Sequence, residues 1–377
     1  MSAPTAIATG ELVLSAWSAV SPFGVGREPF REGLRSGRSG IAALDAEAFP
    51  GPYTTAGLVP DFSAAKYLGR KGTRLMDRLT ALAVTAVGGL VEQCRDDLSA
   101  APERAGLVLG TGWASVQSIM DTTRDSVNGE KPYHVDPAKF PNTVMNKAAG
   151  QSAIWHTIKG PNTTISGDWL TGLLALSYAT RLYRGGHCDL VLCGAVEEYS
   201  TQRAWLDWHS GEAGGDGSAA LGEGGAFVLL ESAESARRSG RGPLVRLAGT
   251  GFRSCQDGAG VRDTLETCVR GTLRRAGVSP EQVRLIAPAD LPGPAGVAED
   301  EALTAVFGAD NASCRRIHCR AQLGDTTAAA TVFQLAAALA EVERGAVHDT
   351  GEYALVTGIG RDGMVGCALL GGCGDPA

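Results

Sequence analysis

The chain has 377 residues, 44% of them hydrophobic and 20% charged, with a formal net charge of −7. Length and balance fit a globular chain of one large unit or two subdomains, and the acidic excess argues against nucleic acid as the main partner. The longest apolar stretch, 328–340, is broken by Thr331 and Gln334, so no membrane span is expected; residues 1–10 lack the basic start and apolar core of a secretory signal, which makes the cytoplasm the expected compartment.

In chain order, the pattern predicts a strand at 12–16 and then a helical stretch carrying Arg27, Arg31, Arg35 and Arg38 on one face. A helix at 77–94, a strand at 106–112 and a strand at 163–166 follow. Next come a helix at 169–184, a strand at 190–194, a glycine-rich exposed loop at 211–217 and a strand at 226–231. Beyond a Ser/Gly/Arg seam at 235–242, helices at 263–275 and 326–344 precede a strand at 353–358. Short apolar runs alternating with alanine-rich helices predict parallel or mixed sheets covered on both faces. The pattern runs twice, which sets the expected halves at 1–239 and 240–377.

Nine cysteines, an odd number without any CxxC spacing, read as reduced and mostly buried thiols. Zinc needs clustered ligands at short spacing, so neither a metal nor another cofactor is expected. His187-Cys188-Asp189 stands before an apolar run, where a buried thiol is the better reading than a nucleophile–base pair. His134 and His156 have no evident partner. The four arginines either form a solvated face or meet an acidic protein.

Seven short segments, in order, carry a family resemblance: Ser21-Pro-Phe-Gly24, Gly37-Arg-Ser-Gly-Ile41, Met76-Asp-Arg78, Gly110-Thr-Gly112, Phe140-Pro-Asn142, Gly160-Pro-Asn-Thr-Thr164 and Gly222-Glu-Gly-Gly225. From about residue 12 to 371 the chain resembles the β-ketoacyl synthases of fatty-acid and polyketide assembly. The resemblance implies an α/β fold, the thiolase-type layered α/β/α/β/α arrangement with two similar halves, and usually a dimer.

In that family a cysteine at the N-terminus of a buried helix takes the acyl chain, its thiol pKa lowered by the helix end. Counted from Gly160 and from Gly172, the matching position is Trp169, whose indole has no group suited to that task. Of the family's two histidines, the one preceding Val306-Phe-Gly308 falls on Pro288. The one in the Lys-Ser-X-X-Gly-His motif falls on Asp325, with Arg320 at the lysine. The gating loop, normally Gly-Phe-Gly-Gly, reads Gly358, Ile359, Gly360, Arg361. No shift of a residue or two restores the set: there is no cysteine or serine at 168–171 and no histidine between His209 and His318.

A synthase without its nucleophile resembles the chain length factor, or ketosynthase β subunit, of type II polyketide systems. The implied partners are an active ketosynthase subunit, in a heterodimer, and an acyl carrier protein bearing the growing chain. In such proteins the growing chain runs at the dimer interface into a tunnel between subunits, lined by the segment after Gly112, and the resemblance places Val116, Ile119 and Thr123 at its length-gating positions. Here Trp113, Val116, Ile119, Met120 and Thr123 recur at helical spacing, which fits either a tunnel wall or ordinary packing. Small and flexible residues there would suit an extended polyene, and Trp169 departs from the glutamine of the aromatic-polyketide pattern. Two other roles stay open: an acyl-thioester enzyme rebuilt on Asp325 or Asp290, and a homodimeric carrier-binding scaffold.

Overall fold

The computed structural model describes residues 10–210, 220–256, 260–308, 314–347 and 349–373. The path of the large sheet takes five strands from the first part of the chain: β1 (Leu12–Ser21), β2 (Ala105–Gly110), β3 (Asn162–Ile165), β4 (Leu190–Glu197) and β5 (Gly224–Ser232). Five follow: β6 (Val245–Ser254), β7 (Val283–Ala287), β8 (Arg315–Arg316), β9 (Tyr353–Ile359) and β10 (Met364–Gly371). They lie in the order β8-β7-β9-β10-β6-β1-β5-β4-β2-β3. The first five and the last five repeat one another. Strands two, three and four of each set run parallel, the fifth is antiparallel to the fourth, and the first is antiparallel to the fifth. The two sets join where β1 and β6 pair antiparallel. This internal repeat is the fold expected from the resemblance.

The helices that position the site are, in chain order, α1 (Arg27–Ser36), α2 (Arg78–Val91), α3 (Val116–Asn128), α4 (Lys147–His156), α5 (Thr171–Arg184), α6 (Thr201–Ser210), α7 (Val261–Ala276), α8 (Gly293–Phe307) and α9 (Ala330–Val342). In α9 every residue from Thr331 to Glu341 is buried. A helix apolar all round belongs to an interior layer, and α9 packs against both α5 and strands of each half. Alanine dominates it because small side chains let the backbone approach β9 and β5 closely. Outer layers follow the opposite logic. α2 covers β1 and β5 and α7 covers β6 and β10; α7 keeps one buried stripe, whereas α2 is buried over most of its length. Asp77 starts α2 by accepting the Thr80 N–H at 2.6 Å.

The predicted strands and helices of the first half are found with boundaries within a few residues. The expectations left out β6, β7, β8, β10, α4, α6 and α8; in β6, β7, β10 and α8, glycine, arginine and proline mask the period. At the expected seam, a short helix (Ala233–Arg238) and the left-handed glycines Gly240 and Gly242 feed β6. The glycine-rich loop expected at 211–217 lies outside the described residues. Among the described residues, no helix is long and apolar enough to cross a membrane.

Candidate functional site: a closed elbow and the helix beside it

The chain leaves β3 through Gly167, turns at Asp168 with φ of 52°, and forms a single 3-10 turn, Asp168–Leu170, before α5 begins. The other central helix starts alike: Thr327, with φ of 42°, opens the 3-10 turn Thr327–Ala329 before α9. The two helix starts meet across Gly172. A Cβ there would lie 2.5 Å from Val332 Cγ1 and 2.9 Å from its backbone nitrogen, so only glycine permits the crossing.

At this meeting point the structure brings Trp169, Asp325 and Arg320 together. The half-buried indole donates its N–H to Asp325 Oδ1 at 2.9 Å. The same oxygen accepts the Thr327 N–H at 2.8 Å, and Arg320 Nη2 holds Asp325 Oδ2 at 2.7 Å. Arg320 and Arg361 lie over the indole, 5.5 and 4.5 Å from the ring centroid. Arg361 also binds Asp168, through its backbone N–H at 2.9 Å and its guanidinium at 3.5 Å. Burial alone would push the Asp325 carboxyl up. The Arg320 charge, the indole hydrogen bond and Arg203 outweigh it and hold the group below the usual carboxylate range. Two carboxylates and two guanidiniums thus surround one indole, each acid answered by a base.

Gly358 and Ile359 end β9 and pack on this elbow; a Cβ on Gly358 would meet Leu170 Cδ2 at 2.8 Å. Gly360 turns the chain by donating to the Met364 carbonyl at 2.7 Å. The loop is therefore seated, with Arg361 as its latch. A cavity of 490 Å³ lies outside it, lined by Trp169, Leu291, Pro292, Ile359 and Arg361.

Pro288 stands one strand away. Its carbonyl accepts the Gln334 amide, which also reaches the carbonyls of Ala287 and Thr357 at 2.8 and 3.0 Å. Between Pro288, Arg320 and Phe333 only 10 Å³ remains, the room of about one water.

Sequence reasoning missed one pair beside it: His318 Nδ1 lies 2.6 Å from Asp290 Oδ1. Asp290 follows Pro288 by two residues and His318 precedes Arg320 by two. Their motifs sit on β7 and beside β8, which are parallel neighbours. The pairing was readable only once that adjacency was known.

The five residues expected at a tunnel between subunits border none of the described cavities, and a single chain leaves that expectation open. Val116 is buried and Ile119 half-buried, but Trp113 and Met120 are each 44% exposed and Thr123 is exposed. Trp113, Met120 and Thr123 are on the outward side, with Val127 beyond them. Within α3 only Val116 is buried, and the polar residues Ser118, Asp121 and Thr122 are half-buried beside it. Ser115, Ser118, Asp121 and Thr122 line a cavity of 380 Å³ whose other walls come from Phe49, Leu75, Met76, Asp77 and Glu198.

Two buried acids at the end of β4 hold the start of α3. Glu197 Oε2 accepts the Gly112 N–H at 2.9 Å. Glu198 accepts the Leu79 N–H at 2.9 Å and lies 3.0 Å from the Ser115 hydroxyl, the N-cap of α3. Burial pushes Glu197 up to about 7; burial and the neighbouring Asp77 push Glu198 up to about 8. Two adjacent acids closing an apolar strand were the available signal.

The remaining singled-out residues are structural. Cys188 is buried and its thiol is pushed up to about 11 by burial, while Asp189 pairs with Arg104 at 2.6 Å. His156 bonds the Val84 carbonyl at 2.8 Å. Arg27 and Arg31 are engaged by Glu343, and Arg35 by Glu32. That leaves little free positive charge on α1 for an acidic partner.

An elbow at the start of a central helix, facing the start of its symmetry mate in a doubled five-stranded repeat, defines a class of condensing-enzyme folds. The chain belongs to the β-ketoacyl synthase family: residues 11–236 match its N-terminal domain and residues 249–354 its C-terminal domain. Among solved structures it is similar to the ishigamide ketosynthase/chain length factor, with 40% identity, a TM-score of 0.87, and coverage of 96% of this chain and 99% of that one. A type II polyketide acyl-carrier protein in complex with its hexaketide-bound ketosynthase also shares the fold, at 19% identity and a TM-score of 0.79 over 96% of this chain and 99% of that one. The 3-oxoacyl-[acyl-carrier-protein] synthase 2 of Vibrio cholerae is 26% identical over 330 residues, 79% of this chain and 77% of that protein.

Proposed function

We propose that this chain is a non-catalytic chain length factor, a subunit that pairs with an active β-ketoacyl-ACP synthase and shapes the tunnel that sets product length. The observation that carries the reading is the Trp169–Asp325–Arg320 cluster. At the start of α5, where the resemblance would put the family's cysteine, stands a closed network with its charges answered inside the chain. Acyl transfer needs a nucleophile and an oxyanion site. Here the indole offers no nucleophile, and the Thr327 N–H is spent on a carboxylate.

Pairing is supported by surfaces that a lone chain leaves open. β3 ends the sheet, with β2 its one named neighbour, and the Thr164 hydroxyl on it is buried without a partner. Beside it, Trp113, Met120, Val127, Phe140 and Ile154 are exposed. The partner synthase would supply the cysteine and both histidines, and an acyl carrier protein would deliver malonyl units to it. A cytoplasmic location goes with that role. An enzyme rebuilt on Asp325 needs an acid with a raised pKa, and Asp325 is held the other way.

The test is native mass measurement of the chain alone and co-expressed with a synthase, together with uptake of a radiolabelled acyl group. The expected result is no label on the isolated chain and a stable, condensing 1:1 complex. A homodimer that condenses by itself, or label on this chain, would sink the proposal; a homodimer that merely binds carrier protein would favour the scaffold role.

A further inference from the structure

Two thiols that the proposed role does not use face each other in the second half of the chain. Cys268 on α7 and Cys367 on β10 lie with their sulfurs 3.9 Å apart, across 99 residues of sequence. Both are free and buried. The periods of the two elements place them there. Val261, Leu265, Cys268 and Val269 belong to the stripe that α7 lays on the sheet, and Cys367 faces it from β10 between Val365 and Leu369.

We propose that Cys268 and Cys367 form a redox-sensitive modification site, closed to a disulfide by a hydroperoxide and reopened by a thiol reductant, which staples α7 to β10. The inference stands apart from the chain length reading.

Disulfide sulfurs lie about 2.05 Å apart, so closure asks each sulfur to move by about 1 Å, the scale of a side-chain turn. Gly251 of β6, opposite Cys367 in the sheet, keeps the space beside the pair open. A Cβ there would lie 2.2 Å from Thr272 Oγ1 and 3.3 Å from Cys268 Sγ. The exposed Arg275 covers that space, its Nη2 reaching Thr272 Oγ1 at 3.0 Å and the Thr250 carbonyl at 3.3 Å. A swing of this one side chain uncovers the pair to a molecule as small as a hydroperoxide.

The two sulfurs are not equivalent. The hydrogen bond from Cys268 holds the Cys367 thiol below its usual range against burial, helped by Thr272, Arg275 and the Gly251 N–H. The same contact, with burial, pushes Cys268 up. Cys367 is therefore the attacking thiolate. Its sulfur takes the distal peroxide oxygen, the O–O bond breaks, and the alkoxide leaves with a proton as an alcohol. Cys268 sulfur then attacks the sulfenic acid; the S–O bond breaks and hydroxide leaves with the Cys268 proton as water. Two thiols are oxidised by two electrons in all, and the peroxide is reduced by two. Two equivalents of an external thiol reverse the bond by exchange. Burial pushes the thiols of Cys94 and Cys319 up to about 12 and that of Cys188 up to about 11, so they stay protonated and slow to react.

The test uses the full-length chain carrying Cys373→Ser, reduced, treated with hydrogen peroxide at neutral pH, then alkylated in denaturant and digested with trypsin. The expected product joins residues 263–270 to residues 362–377, with a loss of about 2 Da that dithiothreitol restores. Because the bond closes a long loop, the oxidised chain should melt roughly 3 °C or more above the reduced one. Cys268→Ser and Cys367→Ser should each lose the cross-link and the Tm rise. Dimedone should trap a sulfenic acid on Cys367 in Cys268→Ser, and none on Cys268 in Cys367→Ser. No cross-link in the native chain, a cross-link formed only in denaturant, Cys268 joined to another cysteine, an unchanged Tm on oxidation, or dimedone on Cys268 instead of Cys367 overturns the inference. Should a serine variant fail to fold, the cross-link map and the Tm of the parent chain decide.

Discussion

The indole N–H of Trp169 donates to the carboxylate of Asp325 across 156 residues of sequence, and the same carboxylate anchors Arg320. The two residues thus satisfy one another, and each makes the other hard to replace. Trp169→Cys should therefore gain no acyl label from a malonyl or acyl carrier substrate, because the Asp325 carboxylate would still occupy the Thr327 N–H and leave no oxyanion site there. Labelling at the rate of an active synthase would refute this.

Removing the anion should cost more than removing the ring. Asp325→Ala leaves Arg320 and the Thr327 N–H buried with no partner. Breaking one side of a buried pair typically costs about 3 to 5 kcal/mol. Urea unfolding of this variant against wild type measures it, and a loss under about 1 kcal/mol would show the network to be dispensable.

Glu197 and Glu198 predict a pH slope of known sign. Their folded pKa values, about 7 and about 8, lie above the ordinary 4.5. The folded chain binds more protons than the unfolded one between those limits, so stability is fullest below pH 4.5 and falls as pH rises toward 8. Asp325, with its depressed value, acts oppositely and weakens the fold only as pH drops through the acid range. Unfolding free energies across this window, in wild type and in Glu197→Gln/Glu198→Gln, should show the slope reduced in the double variant.

Gly172→Ala tests the crossing of the two central helices. The added methyl would collide with the Val332 backbone, which cannot yield without moving α9. Overpacking of this kind costs roughly 1 to 3 kcal/mol or more, seen as a lowered Tm. The same change at exposed Gly37, where a Cβ meets nothing within 4 Å, should cost only the strain of its left-handed φ.

Met120→Asp separates pairing from folding. Met120 is 44% exposed in the single chain, so its own unfolding should move by no more than about 0.5 kcal/mol. In the complex with a synthase the aspartate would be buried unpaired, and co-purification should fail. Retention of a wild-type complex would take α3 out of the interface.

Sequence alone determined the repeat of apolar runs and alanine-rich helices, and the ordered motifs that carry the family resemblance. Such features are local: a period, a turn glycine or a motif count survives without knowledge of neighbours. It could not decide which face of α3 points inward. Trp113, Val116, Ile119, Met120 and Thr123 share helical spacing, but only Val116 is buried, because Glu197 and Glu198 fix the helix start by Gly112 and Ser115. Nor could it show that Asp325 meets the Trp169 indole, or that His318 reaches Asp290. Those contacts exist because the doubled sheet brings distant strand ends to one point, and the energy of burying a charge is settled only by what the fold puts beside it.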